Sequence, residues 1–309
     1  MKKQLLVALA LTSACAAPAS AGIVYDEYNY PTITPDYEVD GIGYLLTEEG
    51  TLAVTARDAV TIGYITSNDP ANPYEYVTRT GGLDYEGSVK VPSEVYIESL
   101  DKTLPVTKVI DGTFMDCHDL LSVSLPASAT EMGLYVFAGC PKLEEVKLGD
   151  IEIVQAATFQ GCKALKTLKI PETVTKVDNG AFYDCGVETL SFSQKLNDIH
   201  YSALVNAYAL KSVTVNVESP YDFLNTEYQI YAPENCVLYV PKESVTEYQK
   251  LEAWSGFAEI RPIAIEAIGE ISASAQNPTE SLYDLTGRKV TSHASGLIIT
   301  PGRKLLLRR

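Results

Sequence analysis

Four cysteines, Cys117, Cys140, Cys162 and Cys185, recur at intervals of 23, 22 and 23 residues. Thiols so placed offer three kinds of chemistry. Four thiolates suffice for a structural zinc ion, two within reach form a disulfide in an oxidising compartment, and one in an accessible, electropositive setting is a nucleophile. The regular interval decides among them. Residues one repeat apart line up in a row along a stack, whereas zinc needs ligands that converge, and parallel side chains bridge poorly. The expected state is a row of buried free thiols acting as small hydrophobes, with Cys236, at the start of a strand-like segment outside the row, as another.

The remaining chemistry-bearing residues are scattered. His118, His200 and His293 fall on different units, and none has a second ligand at metal-binding spacing. Glu48 with Glu49 and Glu144 with Glu145 sit in turns or at strand edges, where solvated charge is the default. The GIG at 41–43 lacks the third glycine and the following helix of a dinucleotide turn, and no nucleophile elbow or phosphate loop occurs. The expectation is a non-enzymatic chain without metal or cofactor, with a hydrolase the least favoured function.

The elements that hold the cysteines follow from the same period. Phe114, Phe137, Phe159 and Phe182, then Leu204, each precede the cysteine position by three residues, the last cysteine position being Ala207. An aliphatic triplet follows each: Leu120, Val123, Leu125; Leu143, Val146, Leu148; Leu165, Leu168, Ile170; Val187, Leu190, Phe192; Leu210, Val213, Val215. The fourth unit is one residue short between Cys185 and Val187. Five residues before each aromatic position stands another apolar residue: Val109, Met132, Val154, Val177 or Ile199. Segments such as SVSLP and TLKIP alternate like strands with one buried face. One such unit cannot bury its apolar side alone, so the units must stack into a solenoid, clearest over 109–215.

The pattern C-x-x-L-x-x-L-x-I-P-x-x-V-x-x-V-x-x-x-x-F at 162–182 resembles the BspA-type leucine-rich repeat of bacterial surface proteins. YEGSVKVPSEV (85–95) and LPVTKVIDGTF (104–114) resemble the start of such domains, and CVLYVPKESVTEYQKLEAWSGF (236–257) their usual close. The resemblance implies a β-rich leucine-rich-repeat solenoid of short strands, with turns or short helical segments on the other side, and adhesion to host matrix proteins or other bacteria.

Four regions are expected. Residues 1–21 read as a signal peptide, with Lys2 and Lys3, an apolar run and Ala19, Ser20, Ala21 before the cleavage point; lipidation at Cys15 is the alternative. Residues 22–86 are a tyrosine-rich β cap or linker in which GIGYLLTEEGTLAVTA forms a hairpin, its tyrosines serving either to pack or to contact a partner. Residues 87–261 are the solenoid with its C-terminal cap. Residues 262–309 are a basic β tail, in which SLYDLTGRKVTSHASGLIITPGRKLLLRR resembles the C-terminal sorting modules of secreted Bacteroidetes proteins; a docked hairpin is the alternative. No stretch is long and apolar enough for a transmembrane helix.

The chain carries 24 basic and 40 acidic side chains, a net charge of −16. A surface this acidic repels phosphate backbones and excludes nucleic acid as a partner of the main body. The candidate binding face is the outward side of the strands, where alternation places Ser122, Ser124, Glu145, Lys147, Thr167, Lys169, Thr189, Ser191, Ser212 and Thr214. Lys147 and Lys169 are expected to be neighbours on adjacent strands, a basic spot on an acidic body suited to an acidic macromolecule: a host matrix protein, a bacterial surface protein or an acidic glycan. No aromatic falls on this strip. The alternative function is a structural component of the cell envelope with no specific ligand.

Overall fold

The computed structural model describes residues 23–25, 31–66, 75–81, 84–224 and 227–263 and, nearer the C-terminus, four strands: Leu282–Asp284, Lys289–Val290, Leu297–Thr300 and Arg303–Leu306. The expected signal peptide and Cys15 lie outside these residues. The chain divides into two compact units, Met1–Ile263 and Ala264–Arg309. In the second unit the four strands form one antiparallel sheet, in the order 289–290, 282–284, 297–300, 303–306.

The first unit is a β solenoid of about seven turns. Each coil runs from a front strand through a turn to a two-residue back strand, then through the phenylalanine turn to the next front strand. The front strands pair in parallel as Gly87–Lys90, Leu120–Ser124 and Glu145–Lys147, and again as Thr189–Phe192, Ser212–Val215, Val237–Val240 and Glu259–Pro262. The second apolar position of the repeat makes the back ladder, in which Val109 pairs with Met132, and Val154, Val177 and Ile199 follow one another. Apolar residues on both ladders and in the turn meet in one core, as a stacked repeat requires.

The phenylalanine turns are the tightest part of the coil. Two residues in each turn adopt positive φ, two before and two after the aromatic: Gly112 and Asp116, Tyr135 and Gly139, Ala157 and Gly161, Gly180 and Asp184. Glycine and aspartate suit this region, whereas Tyr135 and Ala157 occupy it at a steric cost. The turns are held by hydrogen bonds from coil to coil. Phe114 N–H donates to the Val136 carbonyl at 2.9 Å, Phe137 N–H to Thr158 at 3.0 Å and Phe159 N–H to Ala181 at 2.9 Å.

The N-terminal part continues this architecture. Tyr37–Val39, Ile42–Leu46 and Leu52–Thr55 form an antiparallel meander, and the expected hairpin closes through the Thr47 and Thr51 side chains at 2.8 Å. Leu52–Thr55 then pairs in parallel with Lys102–Val109, so it extends the back ladder by a strand. Tyr44 and Tyr85 are buried. The Tyr85 hydroxyl donates to the Thr55 carbonyl at 2.7 Å and accepts the Gly43 N–H at 3.0 Å. At the other end, Phe223, Tyr248 and Phe257 surround the buried Trp254, with the Tyr248 hydroxyl donating to the Val217 carbonyl.

One carboxylate in the frame is out of balance with its surroundings. Asp111 accepts the Leu134 N–H at 2.8 Å, and Gly133 passes so close that a Cβ there would lie 2.1 Å from Asp111 Oδ1. Withdrawal from water pushes its carboxyl from 3.8 up to about 6, against the lowering effect of the Leu134 N–H. A folded-state value above the unfolded one contributes stability that is full in acid and is lost as pH rises through about 6. Asp111→Asn keeps the acceptor oxygen and removes the charge. The variant is expected to exceed the parent in stability by about 1–2 kcal/mol at neutral pH, the shift being discounted because the residue keeps partial exposure. The gap should close below about pH 4 in paired denaturant titrations; the same gap at both pH values would contradict this account.

Candidate interaction face

The cysteine row is built into the packing. The Cys140 thiol donates to the Phe114 carbonyl at 2.9 Å, Cys162 to the Phe137 carbonyl at 3.1 Å and Cys185 to the Cys162 carbonyl at 3.7 Å. Beside this row the rings of Phe114, Phe137, Phe159 and Phe182 stack face to face at 5.4, 5.5 and 5.6 Å. Tyr85 starts the stack 4.8 Å from Phe114, and its N–H reaches Cys117 Sγ at 3.3 Å. Burial pushes the Cys117 and Cys185 thiols up to about 11 and Cys236 to about 12, and raises Cys140 and Cys162 as well. All five are free and buried. Thiols with raised pKa and no exposure lack the thiolate a nucleophile needs; their work is packing.

A second cluster meets the spacing test for chemistry only superficially. His200 Nδ1 lies 2.7 Å from Ser202 Oγ, and Ser202 Oγ donates to Asn179 Oδ1 at 2.5 Å. Ser202 is buried and delivers its proton to an amide oxygen, so the imidazole is not placed to activate it. Burial lowers the His200 pKa, while Asp178 and Asp198 pull the other way.

The front strands present two outward rows. The first runs through Ser88, Ser122, Glu145, then Thr167, Thr189 and Ser212; the second through Lys90, Ser124, Lys147, then Lys169, Ser191 and Thr214. Glu145, Lys147, Thr167, Lys169, Thr189 and Ser191 are exposed, while Ser122, Ser124, Ser212 and Thr214 are half-buried. Ser122 Oγ donates to Ser88 Oγ at 2.8 Å.

The rows are interrupted in the third coil. Of the TLKIP segment only Thr167 pairs, as a single bridge to Thr189. Among the described residues no strand pairing joins Glu145–Lys147 to 167–169. Apolar residues flanking the break, Val146, Leu148, Leu168 and Ile170, keep 6–8% exposure, whereas Val123, Leu190 and Val213 keep 2% or less. The expected adjacency of Lys147 and Lys169 therefore holds in row order but not as a strand pair. Like charges set opposite each other disfavour pairing at that point.

The strip is also longer than the repeat suggested. Its second row continues through Tyr239, paired with Thr214, to Arg261, paired with Tyr239. The expectation of a strip without aromatics is corrected by this half-buried tyrosine. The added residues lie outside the repeat's spacing, but alternation in GSVKVP, CVLYVP and AEIRPI was the available signal.

Unpaired positive charge gathers in one row of this face. Lys108, Lys142, Lys163, Lys176 and Lys211 each pair with a carboxylate. Among the described residues Lys90, Lys147 and Lys169 form no ion pair. Three uncompensated cations therefore share one row of a protein whose net charge is −16.

The family model of the BspA type Leucine rich repeat region matches residues 93–211 in six copies. A leucine-rich repeat protein of T. pallidum is similar over 73% of this chain and 82% of its own, at 19% identity and a TM-score of 0.46. A leucine-rich cell surface protein of Faecalibacterium prausnitzii is similar over 60% of this chain, at 22% identity and a TM-score of 0.43. A leucine-rich repeat protein of Bacteroides ovatus is similar over 68%, at 20% identity and a TM-score of 0.42. This chain spans only 38% of the second of these proteins and 56% of the third. No curated protein matches the sequence. Among the described residues no helix is long and apolar enough to cross a membrane.

Proposed function

With residues 93–211 a BspA-type leucine-rich repeat region, we propose that this leucine-rich repeat protein is an exported, non-catalytic binding module whose front strand face engages an acidic macromolecule at the cell exterior. The leader-like pattern of residues 1–21 supports export. The row of Lys90, Lys147 and Lys169 carries the binding proposal. Several lysines elsewhere, Lys108, Lys142, Lys163, Lys176 and Lys211 among them, are neutralised by partners, whereas these three share one outward row beside hydroxyls. A rigid strand face loses little entropy on binding, and lysines of this kind steer an oppositely charged partner to it. An acidic segment of a host matrix or bacterial surface protein, or an acidic glycan, has the matching chemistry. Adhesion is the role such a contact would serve, and the 262–309 region, with its resemblance to sorting modules, would deliver or attach the chain.

The test is capture of host and bacterial surface components by the mature chain, repeated with Lys147→Glu combined with Lys169→Glu. Capture is expected to fall by about tenfold or more, and to weaken with added salt in the parent. Undiminished capture by the double variant would remove the strand face from consideration. Failure of the parent to adhere to anything would favour a structural role in the envelope.

A further inference from the structure

The turn ladder opens after the fifth coil. Phe182 N–H donates to the Ala203 carbonyl at 3.0 Å, but onward from this turn the next segment is tied by Tyr231 N–H to the Tyr201 carbonyl at 2.8 Å. By register the coil from Val213 to Leu238 spans 25 residues, against 23 from Leu190 to Val213. The longer coil meets the turn before it at Tyr201, and beyond that contact an open cleft of about 1030 Å³ lies between residues 205–211 and 231–235.

Two exposed tyrosines line this cleft. Its walls include Tyr208, Tyr231, Pro233, Glu188, Glu234 and Asn235. Tyr208 is 77% exposed and Tyr231 55%, yet both are positioned. The Tyr208 hydroxyl donates to Asn206 Oδ1 at 2.9 Å. Tyr231 meets Tyr201 edge-on at 6.0 Å, and Tyr201 in turn packs against His200 at 4.3 Å and Tyr228 at 5.5 Å. Exposed rings with two side-chain torsions, held by neighbours, are contact surfaces that bind at low entropic cost. The charge is one-sided: Lys211 in the cleft wall is paired with Glu188 at 2.5 Å, which leaves Glu234 uncompensated among the described residues.

We propose that this cleft docks an extended peptide segment containing proline and arginine, at a site separate from the strand face. Proline rings pack flat on tyrosine faces, and a polyproline helix enters such a groove already ordered. Arginine adds a guanidinium over a tyrosine ring and a charge for Glu234. The net charge of −16 draws such a segment in and repels phosphorylated or acidic ones.

The probe is a fluorescein-labelled dodecapeptide of proline and arginine, titrated into the mature chain and followed by anisotropy. Binding is expected to weaken about tenfold in Tyr208→Ala combined with Tyr231→Ala and to fall as salt is raised. Glu234→Lys is expected to weaken it as well, and Lys147→Glu combined with Lys169→Glu to leave it unchanged. All these positions are exposed, and an unchanged melting temperature confirms that the variants stay folded. Peptide binding indifferent to the tyrosines, no binding of the peptide, or displacement of the peptide by a neutral hexasaccharide would each overturn the proposal.

Discussion

Phe159→Ala is expected to lower the unfolding free energy by about 3–5 kcal/mol. The ring is fully buried and stacked on both sides, 5.5 Å from Phe137 and 5.6 Å from Phe182. In a stacked repeat each coil is stabilised chiefly by its two neighbours, so the cavity weakens two interfaces at once. Phe182 has only one stacked partner, because Leu204 takes the next position. Phe182→Ala should therefore cost less than Phe159→Ala by about 0.5–1.5 kcal/mol, the worth of one aromatic pair. Denaturant midpoints of the two variants measure this; a loss below about 1 kcal/mol at Phe159 would mean that the rings do not carry the stack.

Gly186→Ala is expected to cost about 2–3 kcal/mol, in the upper part of the range for overpacking. This glycine sits where the fourth unit is one residue short. Its N–H donates to the Cys162 carbonyl at 3.0 Å, so the chain crosses directly over the preceding coil. A Cβ at Gly186 would lie 2.1 Å from the Lys163 carbonyl oxygen and 2.8 Å from its carbon. Both are backbone atoms in a packed turn and cannot swing aside. Inserting one residue after Gly186 restores the spacing of the other coils and should make the alanine tolerable; an equal cost with and without the insertion would contradict the explanation.

Much of this frame was legible in the sequence because a repeat states its own geometry. The interval between cysteines implied a row, and the structure has that row, free, buried and beside the phenylalanine stack. The apolar residues five before each phenylalanine became the back ladder for the same reason. What escaped had no period to betray it. Tyr85 lies 29 residues before Phe114, outside the interval of 22 or 23, yet it caps the stack. Leu52–Thr55 joins the back ladder through a pairing distant in sequence, with Lys102–Val109. The break beside Lys169 depends on how two coils settle against each other, although the opposed lysines were its warning. Tyr208 and Tyr231 do stand one repeat interval of 23 residues apart, but Tyr201 and Tyr228 follow no such spacing, and their packing with Tyr231 arises in the lengthened coil.

The most direct test of the strand face is a hydrogen-exchange footprint of the chain with and without a captured acidic partner. Added protection is expected along the front strands at 87–90, 120–124 and 145–147 and in the segment 167–169, and none at the phenylalanine turns. Protection confined to the turns or to the N-terminal meander, with the lysine row unchanged, would contradict it.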